Sequence, residues 1–177
     1  MNRKFESIIR SYIKAKDENK PHLMSGVFSE SATLAMEIYT DNISFPSEVV
    51  GLADINQTLV RDFNHSYENV YTFCLIDTLE QRKNILSCRW LVGMTEKSSG
   101  SCRVGFGEYQ WNFVDDGSYL ADYLTIVIEN MAVLPSEAQT EVMAWLSELP
   151  YPWALSSDVS TSIPDIELLS ALRSSFV

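Results

Sequence analysis

Residues 104–131 read VGFGEYQWNFVDDGSYLADYLTIVIENM, and this stretch decides the fold. Its first half alternates polar side chains with large rings, which are Tyr109, Trp111 and Phe113. A period of two predicts a strand with one buried face. The residues at 115–118 have turn composition, and residues 119–129 are rich in β-branched and aromatic side chains. We therefore predict two long antiparallel strands joined by a tight turn, with an aromatic face that needs a cover.

Helical patterns earlier in the chain supply that cover. After Asn2, which can cap a helix, apolar residues recur at spacings of three and four through Ile13. A shorter helix is predicted from Pro21, and a third one over residues 52–63. Extended runs are predicted at residues 32–45, 66–78 and 84–96. Helices followed by long strands indicate an α+β fold, in which the N-terminal helices cover one face of a curved antiparallel sheet.

Residues 135–177 are predicted to add helices at the C-terminus. A capping box after Pro135 precedes an apolar stripe that ends at Leu149. A polar linker is predicted at residues 156–162, before a last short helix. We expect residues 1–134 to form one α+β domain and residues 135–177 to form a helical extension that packs on the same domain.

Composition excludes several classes of partner. A net charge of -11 over 177 residues argues against binding to nucleic acid or to an anionic membrane surface. No apolar run reaches the roughly 18 residues of a membrane-spanning helix. Among the lysines, Lys14, Lys16 and Lys20 cluster with acidic neighbours and are interpreted as a solvated helix face. The sequence contains no metal-ligand spacing and no phosphate loop, so we expect no metal and no cofactor. The three cysteines are interpreted as buried free thiols of a cytoplasmic protein.

Four short motifs follow one another in the N-terminal half of the chain. They are IIRSY at 8–12, VFSESAT at 27–33, GLADI at 51–55 and HSYEN at 65–69. Their order and spacing resemble the NTF2-like superfamily, the cone-shaped α+β fold of ketosteroid isomerase, scytalone dehydratase and the SnoaL-like cyclases. The resemblance covers residues 5–133 and implies an apolar pocket between the helices and the concave face of the sheet.

The resemblance also implies candidate catalytic residues. Tyr12 stands where ketosteroid isomerase donates a hydrogen bond to an oxyanion, and Tyr109 falls near the position of its second donor. Met36 occupies the position of the isomerase's carboxylate base, and methionine cannot accept a proton. His65 matches one histidine of scytalone dehydratase, whose second histidine has no counterpart in this sequence. Tyr12, His65 and Tyr109 are therefore either acid/base and donor groups or structural residues with internal partners.

Candidate ligand-binding residues come from the expected concave face and its helical roof. They are Met36, Phe63, Trp90, Trp111, Phe113, Ile126 and Ile128. The same stripe of side chains can equally form a filled core. The polar outer side chains of Glu108, Gln110 and Asn112 are expected to meet solvent or a second subunit, since the resemblance implies a homodimer. The C-terminal extension would then cover the pocket as a lid or enlarge the homodimer interface.

The sequence leaves three functions open. The first is the binding of a small apolar or aromatic molecule in the pocket, without catalysis. The second is isomerase, cyclase or dehydratase chemistry on such a ligand. The third is a non-catalytic protein-interaction or dimerisation module whose cavity is closed. Methionine at position 36 favours the first function over the second, because the base is missing.

Overall fold

The N-terminal helix forms where the apolar stripe predicts it. The computed structural model describes residues 2–176, and helix α1 spans Arg3–Asp17. The Asn2 side chain caps this helix by accepting a hydrogen bond from the Lys4 N–H at 2.9 Å. The apolar side of α1 is buried against the sheet. The predicted second helix is a short 3₁₀-helix, Pro21–Gly26.

The third predicted helix is a continuous helical stretch with an irregular centre. It consists of α2 (Leu52–Asn56), a π-helical segment (Gln57–Asp62) and α3 (Phe63–Ser66). Leu59 and Phe63 are buried on the side of this stretch that faces the sheet. Segments of π-helix are rare and often lie beside functional sites.

Within residues 2–176, eight strands form one sheet. They are β1 (Phe28–Ile38), β2 (Glu48–Val50), β3 (Tyr67–Leu75), β4 (Glu80–Arg82), β5 (Ile85–Glu96), β6 (Cys102–Phe113), β7 (Ala121–Leu134) and β8 (Trp153–Ala154). Their order is β2-β1-β7-β6-β5-β3-β8, with β4 beside β5. Pairing is antiparallel except between β1 and β7 and between β3 and β8. The predicted α+β class is confirmed, although β1 begins earlier than predicted because Phe28 already pairs with Ala121.

The predicted hairpin of β6 and β7 lies at the centre of the sheet. The register between the two strands shifts at Gly107, and Glu129 is left over as a β-bulge. A β-bulge bends the strand that carries it, which curves the sheet around its inner face. A Cβ atom on Gly107 would lie 1.9 Å from the carbonyl oxygen of Val127. The bend therefore requires glycine at this position.

The sheet separates two hydrophobic cores. On its inner face, residues of β1, β5, β6 and β7 pack under α1 and the helical stretch of residues 52–66. On its outer face, a second cluster includes Phe73, Leu91 and Phe106 together with side chains from the C-terminal segment. Strands β3, β5, β6 and β7 contribute to both cores because successive side chains alternate between the faces.

The C-terminal segment covers the outer face, opposite the predicted pocket. It contains α4 (Gln139–Glu148), α5 (Ser156–Ser162) and α6 (Ser170–Ser175). The predicted polar linker is wrong, since those residues form α5. The Asp158 carboxylate accepts a hydrogen bond from the Leu155 N–H at 3.0 Å, which caps this helix. The division into residues 1–134 and 135–177 stays a prediction.

Candidate ligand-binding site

A hollow of about 50 Å³, partly open to solvent, lies between the inner face of the sheet and its helical roof. Five predicted ligand-binding residues line it, namely Met36, Phe63, Trp90, Ile126 and Ile128. The strand residues among them reach the hollow because they occupy inward positions of β1, β5 and β7. The bulge at Glu129 and the glycine at Gly107 bend the sheet on this side. The hollow therefore follows from the curvature of the hairpin.

Two other predicted ligand-binding residues do not line the hollow, and this corrects the sequence analysis. Trp111 and Phe113 face inward as predicted and are fully buried. The Trp111 ring lies 5.2 Å from the Tyr12 ring, measured between centroids. The Phe113 ring stacks on Phe5 with centroids 4.0 Å apart. Helix α1 covers this half of the inner face directly, so these rings belong to the packed core.

Tyr12 and Tyr109 lie together at one wall of the hollow. Their rings meet edge to face with centroids 5.9 Å apart, and both residues are almost fully buried. Burial raises the pKa of Tyr12, and the neighbouring Tyr109 hydroxyl opposes only part of that rise. Burial likewise raises the pKa of Tyr109 well above its ordinary value, and the nearby Tyr12 adds to the rise. Both phenols therefore stay protonated and can donate hydrogen bonds.

His65 lies outside the hollow, which corrects its predicted position. It belongs to α3, whose neighbouring residues Phe63 and Asn64 face the interior while His65 is exposed. The helix continues to Ser66, so His65 falls on its solvent side and does not enter the sheet. The imidazole is therefore separated from the candidate donors Tyr12 and Tyr109.

Lys16 is a site residue that the sequence analysis missed. It lines the hollow and is only 6% exposed, although it was predicted on a solvated face. The side chain lies one helical turn after Tyr12 and therefore on the same face of α1. Its ammonium donates to Asp17 Oδ1 at 2.8 Å and to Thr72 Oγ1 at 2.7 Å. It also lies 4.6 Å from the centroid of the Phe63 ring.

Asp17 holds Lys16 through a buried network. Its Oδ1 accepts from Lys16 and from the Thr72 hydroxyl, the latter at 2.8 Å. Its Oδ2 accepts from the Thr72 backbone N–H at 2.7 Å and from the Tyr151 hydroxyl at 2.9 Å. The side chains of Lys16 and Asp17 are 7% and 2% exposed. A buried ion pair of this kind persists only when its remaining polar atoms also have partners.

The polar groups around the hollow are hydrogen-bond donors. They are the two phenols and the Lys16 ammonium. Within that same range, no carboxylate and no imidazole lines the hollow. Met36 lies at the place where the isomerase-like base was sought. The wall can therefore stabilise an acceptor or a developing negative charge, but it supplies no obvious proton acceptor.

Two aromatic side chains lie between the hollow and a neighbouring surface cleft. Phe45 and Phe63 line both the hollow and a neighbouring surface cleft, which also includes Thr58, Asp62 and Tyr67. Phe45 belongs to the connection between β1 and β2, and Phe63 belongs to the helical roof. A ligand entering from the cleft would pass between these two rings.

Metal-ligand clusters and membrane-spanning helices are absent from the described part of the chain. No group of three or more His, Cys, Asp or Glu side chains in residues 2–176 is arranged to hold a metal ion. Every helix of that range is too short or too polar to traverse a bilayer. Cys74, Cys88 and Cys102 are buried and free.

Known proteins resemble this chain in structure but not detectably in sequence. No protein-family model matches the chain, and no curated protein is significantly similar to it in sequence. A proposed scytalone dehydratase from Novosphingobium aromaticivorans superposes with a TM-score of 0.57 at 15% identity, over 75% of this chain and 91% of that chain. An NTF2-like protein of unknown function from Exiguobacterium gives a TM-score of 0.52 at 17% identity, over 70% and 98%.

A third similar structure contains a bound small molecule. It is a protein with a ketosteroid isomerase-like fold from Catenulispora acidiphila, solved in complex with trimethylamine. It superposes with a TM-score of 0.54 at 11% identity, over 67% of this chain and 82% of that chain. The chain therefore has the NTF2-like fold, as its motifs predicted. At these identities the similarity establishes the fold alone.

Proposed function

We propose that this protein binds a small apolar or aromatic molecule that carries a hydrogen-bond acceptor, such as a carbonyl group. The observation that carries the proposal is the composition of the wall, which is apolar except for buried donors. Sites for small molecules are typically apolar, with a few convergent polar groups that fix orientation. The acceptor would meet the hydroxyl groups of Tyr12 and Tyr109, which burial keeps protonated by raising their pKa.

The composition of the wall favours binding over catalysis. Isomerase, cyclase and dehydratase chemistry all need a group that removes a proton from the substrate. Met36 cannot do so, and His65 is exposed outside the hollow. Asp17 accepts four hydrogen bonds within its own network. The hollow itself, which is partly open to solvent, also argues against the alternative of an interaction module with a closed cavity.

The homodimer and the cytoplasmic location stay predictions. The C-terminal segment occupies part of the outer face, with Arg89 donating to the Ser175 carbonyl oxygen at 2.7 Å. A dimer would have to use the remaining part of that face, where Glu108, Gln110 and Asn112 lie on β6. The predicted role of the extension as a pocket lid finds no support, because the segment lies on the opposite face.

Calorimetric titration with two shape-matched compounds tests the proposal. Acetophenone and α-methylstyrene differ in having a carbonyl oxygen or a methylene group at the same place. We expect acetophenone to bind about tenfold more tightly, which corresponds to one or two hydrogen bonds from the phenols. The Tyr12→Phe variant should lose most of that preference, while Tyr39→Phe, at a residue 70% exposed, should keep it. Equal binding of both compounds, or binding of neither, would contradict the proposal.

A further inference from the structure

The polar end of the hollow carries no net charge. Lys16 brings one positive charge to the wall, and Asp17 neutralises it at 2.8 Å. The pair is buried and both partners have further hydrogen bonds to Thr72. No other charged side chain of residues 2–176 lines the hollow. A ligand therefore meets donors whose charge is already balanced.

We propose that Asp17 makes the hollow select uncharged ligands. Its carboxylate neutralises the Lys16 ammonium, which would otherwise attract the carboxylate of a ligand. This inference rests on the proposed function, since it concerns which ligands the same hollow accepts. A bound carboxylate would place a second negative charge beside a single ammonium in an apolar surrounding. Burying a charge without its own partner is unfavourable, whereas a neutral carbonyl needs only the donors.

Asp17 cannot easily release Lys16 to a ligand. Both of its oxygens are engaged by Thr72, one by the hydroxyl and the other by the backbone N–H. That N–H lies on the side of β3 where β8 pairs only with Cys74 and Leu75, so the carboxylate takes the place of a strand partner. Moving Asp17 would leave this buried N–H without an acceptor. The ammonium uses two of its three protons on Asp17 and Thr72, which leaves one for a neutral acceptor.

Tyr151 extends this arrangement to the C-terminal segment. Its hydroxyl donates to Asp17 Oδ2 at 2.9 Å, from the connection between α4 and β8. The Asp17 carboxylate therefore receives one hydrogen bond from a residue that lies outside the inner core. Tyr151 is therefore a positioning residue for the charge balance, although it lies outside the hollow.

The test compares the dissociation constants of acetophenone and benzoate at neutral pH. These compounds have similar size and differ in charge. The unmodified protein should bind acetophenone at least tenfold more tightly than benzoate. The Asp17→Asn variant should shift this ratio toward benzoate by at least tenfold, because Lys16 then has no anionic partner. The double variant Lys16→Met with Asp17→Asn should lose the shift, since it carries neither charge.

Glu18→Gln is the matched control. It removes one negative charge from the next position, where the side chain is 44% exposed and pairs with Lys20. This variant should keep the ligand ratio of the unmodified protein. If Asp17→Asn does not fold, Tyr151→Phe removes a single donor from Asp17 and should shift the ratio by about twofold to fivefold in the same direction.

The two proposals fail in different ways. Binding of neither compound to any variant would overturn the proposed function, and this inference with it. Binding of acetophenone together with equally tight binding of benzoate to the unmodified protein would overturn the inference alone. An equal shift in Asp17→Asn and Glu18→Gln would also overturn it, because the effect would then come from overall charge.

Discussion

The two faces of the sheet are covered in different ways. On the outer face, α4 packs so closely that a Cβ atom on Gly93 would lie 2.1 Å from Leu146 Cδ1. On the inner face, the helical roof closes over Trp111 and Phe113 but leaves a hollow above Met36 and the hydrophobic part of β7. Buried side chains line both faces. The difference is that the outer face is packed under α4, whereas part of the inner face borders a hollow.

Three tryptophans show what this difference means for polar groups. On the outer face, the Trp145 indole N–H donates to the Ser162 hydroxyl at 2.9 Å. On the inner face, the indole N–H groups of Trp90 and Trp111 have no partner within the described chain. Buried polar groups are normally paired, and an exception asks for an explanation. Trp90 lines the hollow whereas Trp111 lies in the packed core, so these unpaired groups do not by themselves mark a ligand site.

The largest expected effect is on the outer face. Leu146→Ala should lower the free energy of unfolding by about 3 kcal/mol, because it removes a fully buried side chain from a tightly packed site. Chemical denaturation measures this change. Leu168→Ala, at a leucine 53% exposed, should change the stability by less than about 0.5 kcal/mol. Similar losses in the two variants would show that the outer face is not tightly packed.

Glycines on the two faces should differ in their tolerance of a methyl group. Gly107→Ala should cost about 2 kcal/mol, because its Cβ would meet the backbone oxygen of Val127 on the bulged strand. Gly93→Ala should cost less, since its Cβ would meet the end of the Leu146 side chain, which can rotate. Denaturant unfolding of both variants gives the comparison. A larger loss for Gly93→Ala would contradict the assigned role of the bulge.

The buried phenols of the hollow predict a specific pH dependence. Burial raises the pKa of Tyr12 in the folded protein, while the unfolded chain ionises near pH 10. Below about pH 10 the residue is protonated in both states, so it adds no pH dependence. Above that pH the unfolded state loses a proton that the folded state keeps, and stability falls by up to about 1.4 kcal/mol per pH unit.

The variant Tyr12→Phe should reduce this slope, as measured by denaturant unfolding at several values between pH 9 and pH 11. The exposed Tyr39 supplies the control, since Tyr39→Phe should leave the slope unchanged. An unchanged slope in Tyr12→Phe would mean that this phenol ionises equally in both states.

The smallest expected loss comes from enlarging the hollow. Met36→Ala should cost about 1 kcal/mol, less than truncation on the outer face, because Met36 already borders empty space. The enlarged hollow should also accept longer alkyl phenones, such as butyrophenone, more tightly than the unmodified protein does. Calorimetric titration checks this gain. A loss of stability as large as that of Leu146→Ala would indicate that Met36 belongs to a closely packed core.

Local patterns predicted most of the fold. The alternation around Trp111 located the central hairpin, and the stripe from Phe5 to Ile13 located α1. Both patterns depend on side-chain periodicity, which neighbouring residues alone determine. The helix over residues 156–162 was missed because its composition is polar, and its stability depends on a cap and on one buried residue, Val159.

The site was predicted less completely than the fold. Helix α1 covers only part of the inner face, and its extent decides which inward-facing rings lie under it and which line the hollow. No local sequence pattern in β6 encodes the extent of α1. Lys16 did carry a signal, since it continues the apolar stripe one turn after Tyr12. The acidic residues around it suggested a solvated surface instead. Its partner Thr72 is distant in sequence, and so is Tyr151, which donates to the Asp17 carboxylate that pairs with Lys16.

The methionine methyl groups test the central claim most directly, because they mark both faces. Met36, Met94 and Met131 line the hollow, whereas Met143 lies with the outer cluster. In a protein labelled with ¹³C at the methionine methyl groups, titration with acetophenone should shift the NMR signals of the first three and leave that of Met143 in place. Shifts confined to Met143, or no shift at all, would contradict a ligand site on the inner face.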